Sequence, residues 1–251
     1  MAKFDELGKR MKSFYEERTR LFLPRRTYTV IRIDGKAFHT YTKGLERPFD
    51  AGLIDDMDQT AIYLCSKIQG AKLAYVQSDE ISIILTDFDK IGTDAWFDGN
   101  IQKIASISAS MATSKFNQLR MVRIIKDFND IKDFKLAEFD SRVFTIPSYT
   151  EVENYLIWRM QDCTRNSILS VGQYLFSHKD LENKNTNIVQ EMCFSKGVNW
   201  NDYPDKLKRG RLIFKDNYVK GEVIRTKWLS VGMPMLTKDK TLINGTIPKI
   251  Y

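Results

Sequence analysis

Apolar and polar positions alternate most clearly over Thr27-Tyr28-Thr29-Val30-Ile31-Arg32-Ile33. β-Branched residues dominate there and predict a strand ended by Asp34-Gly35. Upstream, Leu7, Met11, Phe14 and Tyr15 form the apolar side of a charged stretch, predicting an amphipathic helix from Leu7 to Phe22 that Leu23-Pro24 breaks. From Asp50 to Ile68 the spacing Leu53, Met57, Ala61, Leu64, Ile68 predicts one face of a helix, closed by Gly70. Leu73–Val76 and Ile81–Leu85 read as two strands joined by the polar turn Gln77-Ser78-Asp79-Glu80. A second helix is predicted over Asn100–Phe116, with a stripe including Ile104, Ser108 and Ala112 small enough to lie flat on a sheet. Arg142 to Ile146 is a further strand, stopped by Pro147.

Strand, helix, strand, strand, helix, strand is the split βαβ order of ferredoxin-like domains. It predicts an α+β fold: an antiparallel sheet with two helices on one face and the other face open for a substrate. Beyond it come a long helix over Glu151–Phe176, a polar stretch at Asn183–Asn187, and short strands with turns in the last forty or so residues. Residues 1–147 therefore form the expected catalytic domain with its N-terminal helix. Residues 148–251 form a helical and small β extension, packed on it as one integrated unit.

The chemistry sits where strands end. Asp34 and Asp79 terminate two strands predicted to be neighbours. Two carboxylates brought together repel unless a cation lies between them, and hard oxygen ligands suit Mg²⁺. A pair of ions held this way serves phosphoryl chemistry on a nucleotide. The Gly35 carbonyl is a further metal ligand; Glu80, pointing to the opposite side of the turn, is a weaker catalytic candidate than Asp79. Taken singly, Asp34-Gly35 is equally an Asp-Gly turn, and Asp79-Glu80 a solvated hairpin tip. Successive N–H groups from Lys36 through Ala37, Phe38 and His39 offer a nest for phosphates. Arg47 places a cation near them, while Asp50 is either part of that site or a helix cap. Lys103, at a helix start, is a candidate anion contact or a surface lysine. Arg159 and Arg165 interrupt an apolar helix and are candidates for phosphate contact, although Arg159 and Asp162 are also spaced as an intrahelical pair.

The chain has 251 residues, 43% of them hydrophobic, enough for a sizeable core. A formal net charge of +7 suits a polyanionic partner. Basic clusters at Arg18–Arg26 and Lys206–Arg211 read, by themselves, as solvated faces. Cys65, Cys163 and Cys193 stand far apart, and the histidines are His39 and His178, so neither a disulfide framework nor a zinc site is expected. The charged N-terminus and the lack of a long apolar run predict a soluble protein of the reducing cytoplasm, with no membrane partner.

Taken in order, these segments resemble the tRNA-histidine guanylyltransferase superfamily, the 3′-to-5′ nucleic-acid polymerases. The resemblance runs through Arg32–His39, Arg47–Asp50, Gln77–Glu80, Lys103, Phe139–Arg142, Trp158–Cys163 and Asn199–Asp202. It implies a polymerase-palm catalytic domain. It also implies two Mg²⁺ ions on Asp34, the Gly35 carbonyl and Asp79, and ATP or GTP as substrates. Ser78 joins residues 34–39 in contacting the nucleotide, and Arg47, Lys103 and Arg142 handle triphosphate or tRNA phosphates. Members that add the extra guanylate to tRNA-His carry His-x-Asn-Asn after the Asp-Cys pair; here that segment is Thr164-Arg165-Asn166-Ser167. The sequence thus resembles the "like-protein" branch of bacteria, archaea and phages. That branch implies template-directed repair of 5′-truncated tRNA, with Arg142, Arg159, Arg165 and Asn166 toward the tRNA and a homotetrameric assembly. The alternatives are guanylate addition to tRNA-His, or a palm enzyme acting on a small nucleotide in the manner of cyclases.

Overall fold

In the computed structural model, which describes residues 5–128, 134–221 and 223–250, the alternating segment forms β1 (Tyr28–Gly35). β2 (Ala71–Gln77) and β3 (Glu80–Leu85) make the expected hairpin, and β4 (Phe139–Ile146) completes the first four strands. β5 (Arg211–Lys220) and β6 (Val223–Gly232) continue the same sheet, giving the order β4-β1-β3-β2-β5-β6. Every neighbouring pair is antiparallel. The first four strands have the ferredoxin-like order that the element sequence predicts. The C-terminal residues expected as short strands instead form one long hairpin, joined to the sheet edge where Ala74 pairs with Ile213.

The N-terminal stretch is α1 (Glu6–Met11), continued by a π-helical turn over Lys12–Glu16 and a 3₁₀ turn over Glu17–Thr19. It ends short of the predicted Phe22, and Leu7, Phe14 and Tyr15 stay more than half exposed. α2 (Phe38–Tyr41) is a single turn after β1, and α3 (Ala51–Lys67) is the first predicted crossover helix. α4 (Ile101–Phe128) runs well past the predicted end at Phe116. The reason lies outside its apolar stripe: Arg120 and Arg123 ion-pair with the buried Asp56 of α3, at 3.1 and 2.8 Å. That tertiary contact ties the extension to α3, through a stretch in which Arg120 and Arg123 are mixed with Leu119, Met121, Val122, Ile124 and Ile125. α5 (Tyr149–Leu175) is followed by the short α6 (His178–Leu181), then α7 (Thr186–Ser195), α8 (Asp205–Lys208) and α9 (Thr241–Thr246).

α3 and α4 cover one sheet face through Met57, Ala61, Leu64, Ile104, Ala112 and Phe116, packed on Ile31, Ile33, Val76 and Ile83. The expectation of an open second face is corrected. Val152, Leu156, Met160 and Cys163 of α5, with Met233, Leu236 and Ile243, pack on Tyr28, Val30, Leu73, Tyr75 and Ile84. The sequence did carry this signal. Leu73–Val76 and Ile83–Leu85 are continuous apolar runs, which mark strands buried on both faces rather than on one. The three cysteines are buried and free. Among the described residues, no helix is long and apolar enough to cross a membrane.

Candidate active site

The sheet face beneath α5 is apolar at one end and ionic at the other. On β1, Arg32 and Asp34 follow Tyr28 and Val30 at the period of two that keeps side chains on one face. On β3, Ser82 and Glu80 precede Ile84 in the same way, and the register sets Arg32 against Ser82 and Asp34 against Asp140. α5 passes over this end with Tyr155 and Arg159.

Glu80 is locked. Its side chain is 5% exposed, Arg159 donates from Nε and Nη2 to its two oxygens at 2.8 and 2.6 Å, and Arg32 Nη2 lies at 2.7 Å. Ser82 Oγ adds a hydrogen bond and contacts the Tyr155 hydroxyl at 2.7 Å. Arg159 also donates to Asp162 at 2.8 Å and lies 4.5 Å from the Trp158 ring centre. It is 5% exposed and divided between two carboxylates, so it faces the interior rather than a surface that nucleic acid would meet. The intrahelical pair with Asp162 is part of its actual role. Arg165 and Asn166 remain exposed and also turn to Asp162.

Asp34 and Asp79 are differently placed. Arg142 and Arg32 approach Asp34 only to 3.6 and 3.8 Å, outside hydrogen-bond contact. Burial, then the charge of Glu80, raises the Asp34 carboxyl above its ordinary range, against the pull of those two arginines. Burial likewise raises Asp79. The Ser78 hydroxyl and a backbone N–H offset this in part, and the charges of Asp34 and Glu80 add to it. Asp79 therefore senses the charge of Asp34, and among the described residues no cation forms a salt bridge to Asp79. Such a pair offers hard oxygen donors, partly desolvated, that could hold a divalent ion, with Asp34 only loosely paired and Asp79 without a salt bridge among the described residues. No three Asp, Glu, His or Cys side chains converge as an all-protein cage among the described residues.

Around this pair the predicted residues divide. His39, Arg47, Asp50 and Ser78 line one cleft of about 270 Å³ with Ser170 and Gln173. Asp50, Ser78 and Asn166 line an adjoining cavity of about 300 Å³. Asp50 is at the same time the cap of α3, accepting from Leu53 N at 2.6 Å. Ala37 and Ser78 both adopt left-handed backbone, at φ 53° and 43°, bending the chain sharply after Gly35 and at the hairpin tip. The Lys36 amide is taken by the Glu138 carbonyl, which leaves Ala37, Phe38 and His39 for a phosphate nest. The Lys36 side chain pairs with Glu138 in a separate groove against α4. The Phe38 ring is buried between Tyr41, Phe116 and Phe139. A Cβ on Gly35 would come within 2.2 Å of that ring, so glycine is what lets the turn close. Lys103 is not brought to the cleft; it lines a groove with Glu16 and Arg20. Sequence reasoning assigned no role to Ser170, Gln173, Lys206 or Arg211, all of which line the clefts. Arg211 was readable only as part of a solvated basic cluster, but it is 4% exposed and paired with Asp58 at 2.7 Å.

A ferredoxin-like sheet with two charged carboxylates at the ends of neighbouring strands, beside a polar cleft, has the layout of a palm-type nucleotidyltransferase. Comparison with known proteins agrees. The sequence model described as Thg1: tRNAHis guanylyltransferase matches residues 8–147. A bacterial tRNA(His) guanylyltransferase (Thg1)-like protein, solved in complex with ATP, is 43% identical, with a TM-score of 0.84 over 96% of this chain and 98% of that one. The same kind of bacterial protein solved with GTP gives 0.81 at the same identity and coverage. The tRNA(His) guanylyltransferase of Schizosaccharomyces pombe is 31% identical over 215 residues, spanning 80% of this chain and 78% of its own length. The chain belongs to the tRNAHis guanylyltransferase (Thg1) family of nucleotidyltransferases.

Proposed function

We propose that this protein is a Mg²⁺-dependent 3′-to-5′ nucleotidyltransferase that activates the 5′ end of a tRNA with ATP or GTP and then extends it, repairing 5′-truncated tRNA against its own complementary strand. The observation that carries the reading is the pair of partly buried carboxylates Asp34 and Asp79, both raised by burial, with the charge of Asp34 acting on Asp79, whose neighbour Ser78 lines both clefts. Mg²⁺ bound there would neutralise triphosphate charge and make the attacking hydroxyl more acidic. The chain's own residues supply the rest. Arg32 and Arg159 hold Glu80 in the wall behind the aspartates. Ala37 and Ser78 bend the backbone toward the substrate. Arg47 and Arg142, both exposed, are the cations available to phosphates. Solved complexes of the bacterial relatives with ATP and GTP support those triphosphates as substrates.

Repair is favoured over guanylate addition to tRNA-His because Thr164 stands where the guanylate-adding branch has histidine. A homotetramer in the cytoplasm belongs to the same proposal, supported by the exposed apolar residues of the N-terminal helical stretch, Leu7 on α1 and Phe14 and Tyr15 on the π-helical turn after it. Sedimentation tests the assembly. For the activity, purified protein is given a tRNA lacking its first nucleotide or full-length tRNA-His, with each triphosphate in turn. Addition of the nucleotide complementary to the opposing base, on the truncated substrate, is expected. Guanylate addition alone, whatever base lies opposite, would overturn the repair reading.

A further inference from the structure

Trp158 lies on α5 at the ionic end of the sheet and is 51% exposed. Single exposed apolar side chains are ordinary; what sets this one apart is how it is held and what flanks it. Arg159 lies over the ring at 4.5 Å from its centre and Arg32 at 5.8 Å, with the Tyr155 ring edge-on at 5.9 Å. Both guanidiniums reach Oε2 of Glu80 through Nη2, at 2.6 and 2.7 Å. Two groups that share one oxygen are too close together to bracket an indole. They support it from one side and leave the other side open. Exposed cations stand around it. Arg142, opposite Arg32 on β4, is 58% exposed and stays 3.6 Å or more from its carboxylate neighbours. Arg165, two turns along α5 from Trp158, is 60% exposed beside Asp162. A rigid aromatic face among exposed cations is how proteins hold an unpaired or terminal base together with its phosphates. A second copy of this chain, with its net charge of +7, would bring more positive charge to the same place.

We infer that Trp158 is the stacking platform for the RNA: the base of its 5′-terminal nucleotide lies on the open face of the indole, while Arg142 and Arg165 take the adjoining phosphates. The inference rests on the proposed function and adds where the RNA end sits. Arg32, which supports the ring, comes to 3.8 Å from Asp34. A base stacked on Trp158 therefore directs its own 5′-phosphate toward the two aspartates. Every base has a π-face, so the contact recognises an RNA end without selecting its sequence.

The test is equilibrium binding of the full-length protein, with Mg²⁺ and without triphosphate, to two 5′-truncated tRNAs that differ only at the terminal nucleotide, ordinary in one and abasic in the other. Wild type should bind the ordinary RNA about tenfold or more tighter. Trp158→Ala should erase that preference, weakening the ordinary RNA and leaving the abasic one nearly unchanged, as a directly coupled pair does. Trp158→Phe should keep most of the preference. Trp158→Leu retains an apolar cover on Arg159 without an aromatic face, and replaces Trp158→Ala if melting curves show that variant unfolded. ATP affinity should match wild type in the folded variants; a loss in step with RNA affinity would reduce Trp158 to a prop for Glu80 and overturn the inference. Equal losses for both RNAs, or no preference in wild type, would overturn it as well. If equal losses came with smaller species in sedimentation, the face would be a contact between copies of this chain. A terminal-base preference in a protein that adds no nucleotide would sink the proposed function and leave the stack standing. Templated addition without that preference would do the reverse.

Discussion

Two buried carboxylates, Asp56 and Glu80, are each clamped by two arginines, yet they do different things. Asp56, between α3 and α4, takes Arg120 and Arg123, and Arg123 passes its remaining donor to Asp55. That cluster ties two helices together and leaves no acid over. Glu80 takes Arg159 and Arg32, but beside it stand Asp34 and Asp79, which no arginine reaches within hydrogen-bond distance. The fold has the means to neutralise buried acids and uses them at Glu80, one residue from Asp79. Asp79 is left without a salt bridge among the described residues and Asp34 with only two longer ones, and under the proposed function that is where a cation and an anionic substrate would bind.

The largest test of that contrast is Asp34→Asn or Asp79→Asn. Nucleotide addition should fall by a hundredfold or more, on the order of a lost electrostatic contact in the transition state. Melting temperature at neutral pH should hold or rise, because burial and like charge disfavour both ionised forms. Retained turnover in both variants would remove the metal site. Next, Arg159→Ala should destabilise the fold by about 3–5 kcal/mol, since Glu80 is left buried with Arg32 alone. Arg123→Ala should cost less, about 1–2 kcal/mol, because Arg123 is a third exposed where Arg159 is buried, so water can reach the place it leaves beside Asp56; chemical denaturation compares the two. Activity of the folded fraction should drop for Arg159→Ala and not for Arg123→Ala.

A pH series sharpens the same comparison. For an acid whose pKa is raised by folding, the contribution to stability is full below its ordinary value and is lost as pH rises through the raised one. Metal-free protein should therefore lose melting temperature as pH climbs from 3.8 through the raised values of Asp34 and Asp79. Mg²⁺ should restore it at neutral pH, and the Asp34→Asn/Asp79→Asn double variant should show neither effect. The smallest change is expected at Lys36→Met. Its ammonium pairs with Glu138 at the surface, and exposed pairs are worth about 0–1 kcal/mol. Addition rates should stay within about twofold of wild type, as for surface changes away from the chemistry.

Much of the four-stranded ferredoxin-like part of the sheet and its two covering helices was legible in the chain. Alternation over Thr27–Ile33 and helical spacing over Asp50–Ile68 are local patterns that burial enforces directly, and both elements form where expected. α4 was legible only to Phe116, because what ties its extension to α3 is an ion pair to Asp56, distant in sequence. Asp34 and Asp79 could be singled out because charge at a strand end is visible in one dimension. Arg159 could not be placed: its spacing to Asp162 is local, but its bond to Glu80 depends on how α5 crosses the sheet.

By itself, then, the sequence determined the order and type of the palm elements and put acids at two strand ends, since both follow from residue periodicity and turn chemistry. Only the tertiary structure decided that the second sheet face is closed by α5, that β5 and β6 extend the sheet, and which charges meet. Those outcomes depend on contacts between segments far apart in the chain, where the free energy of burying or pairing a group is set by its partner and not by its neighbours in sequence.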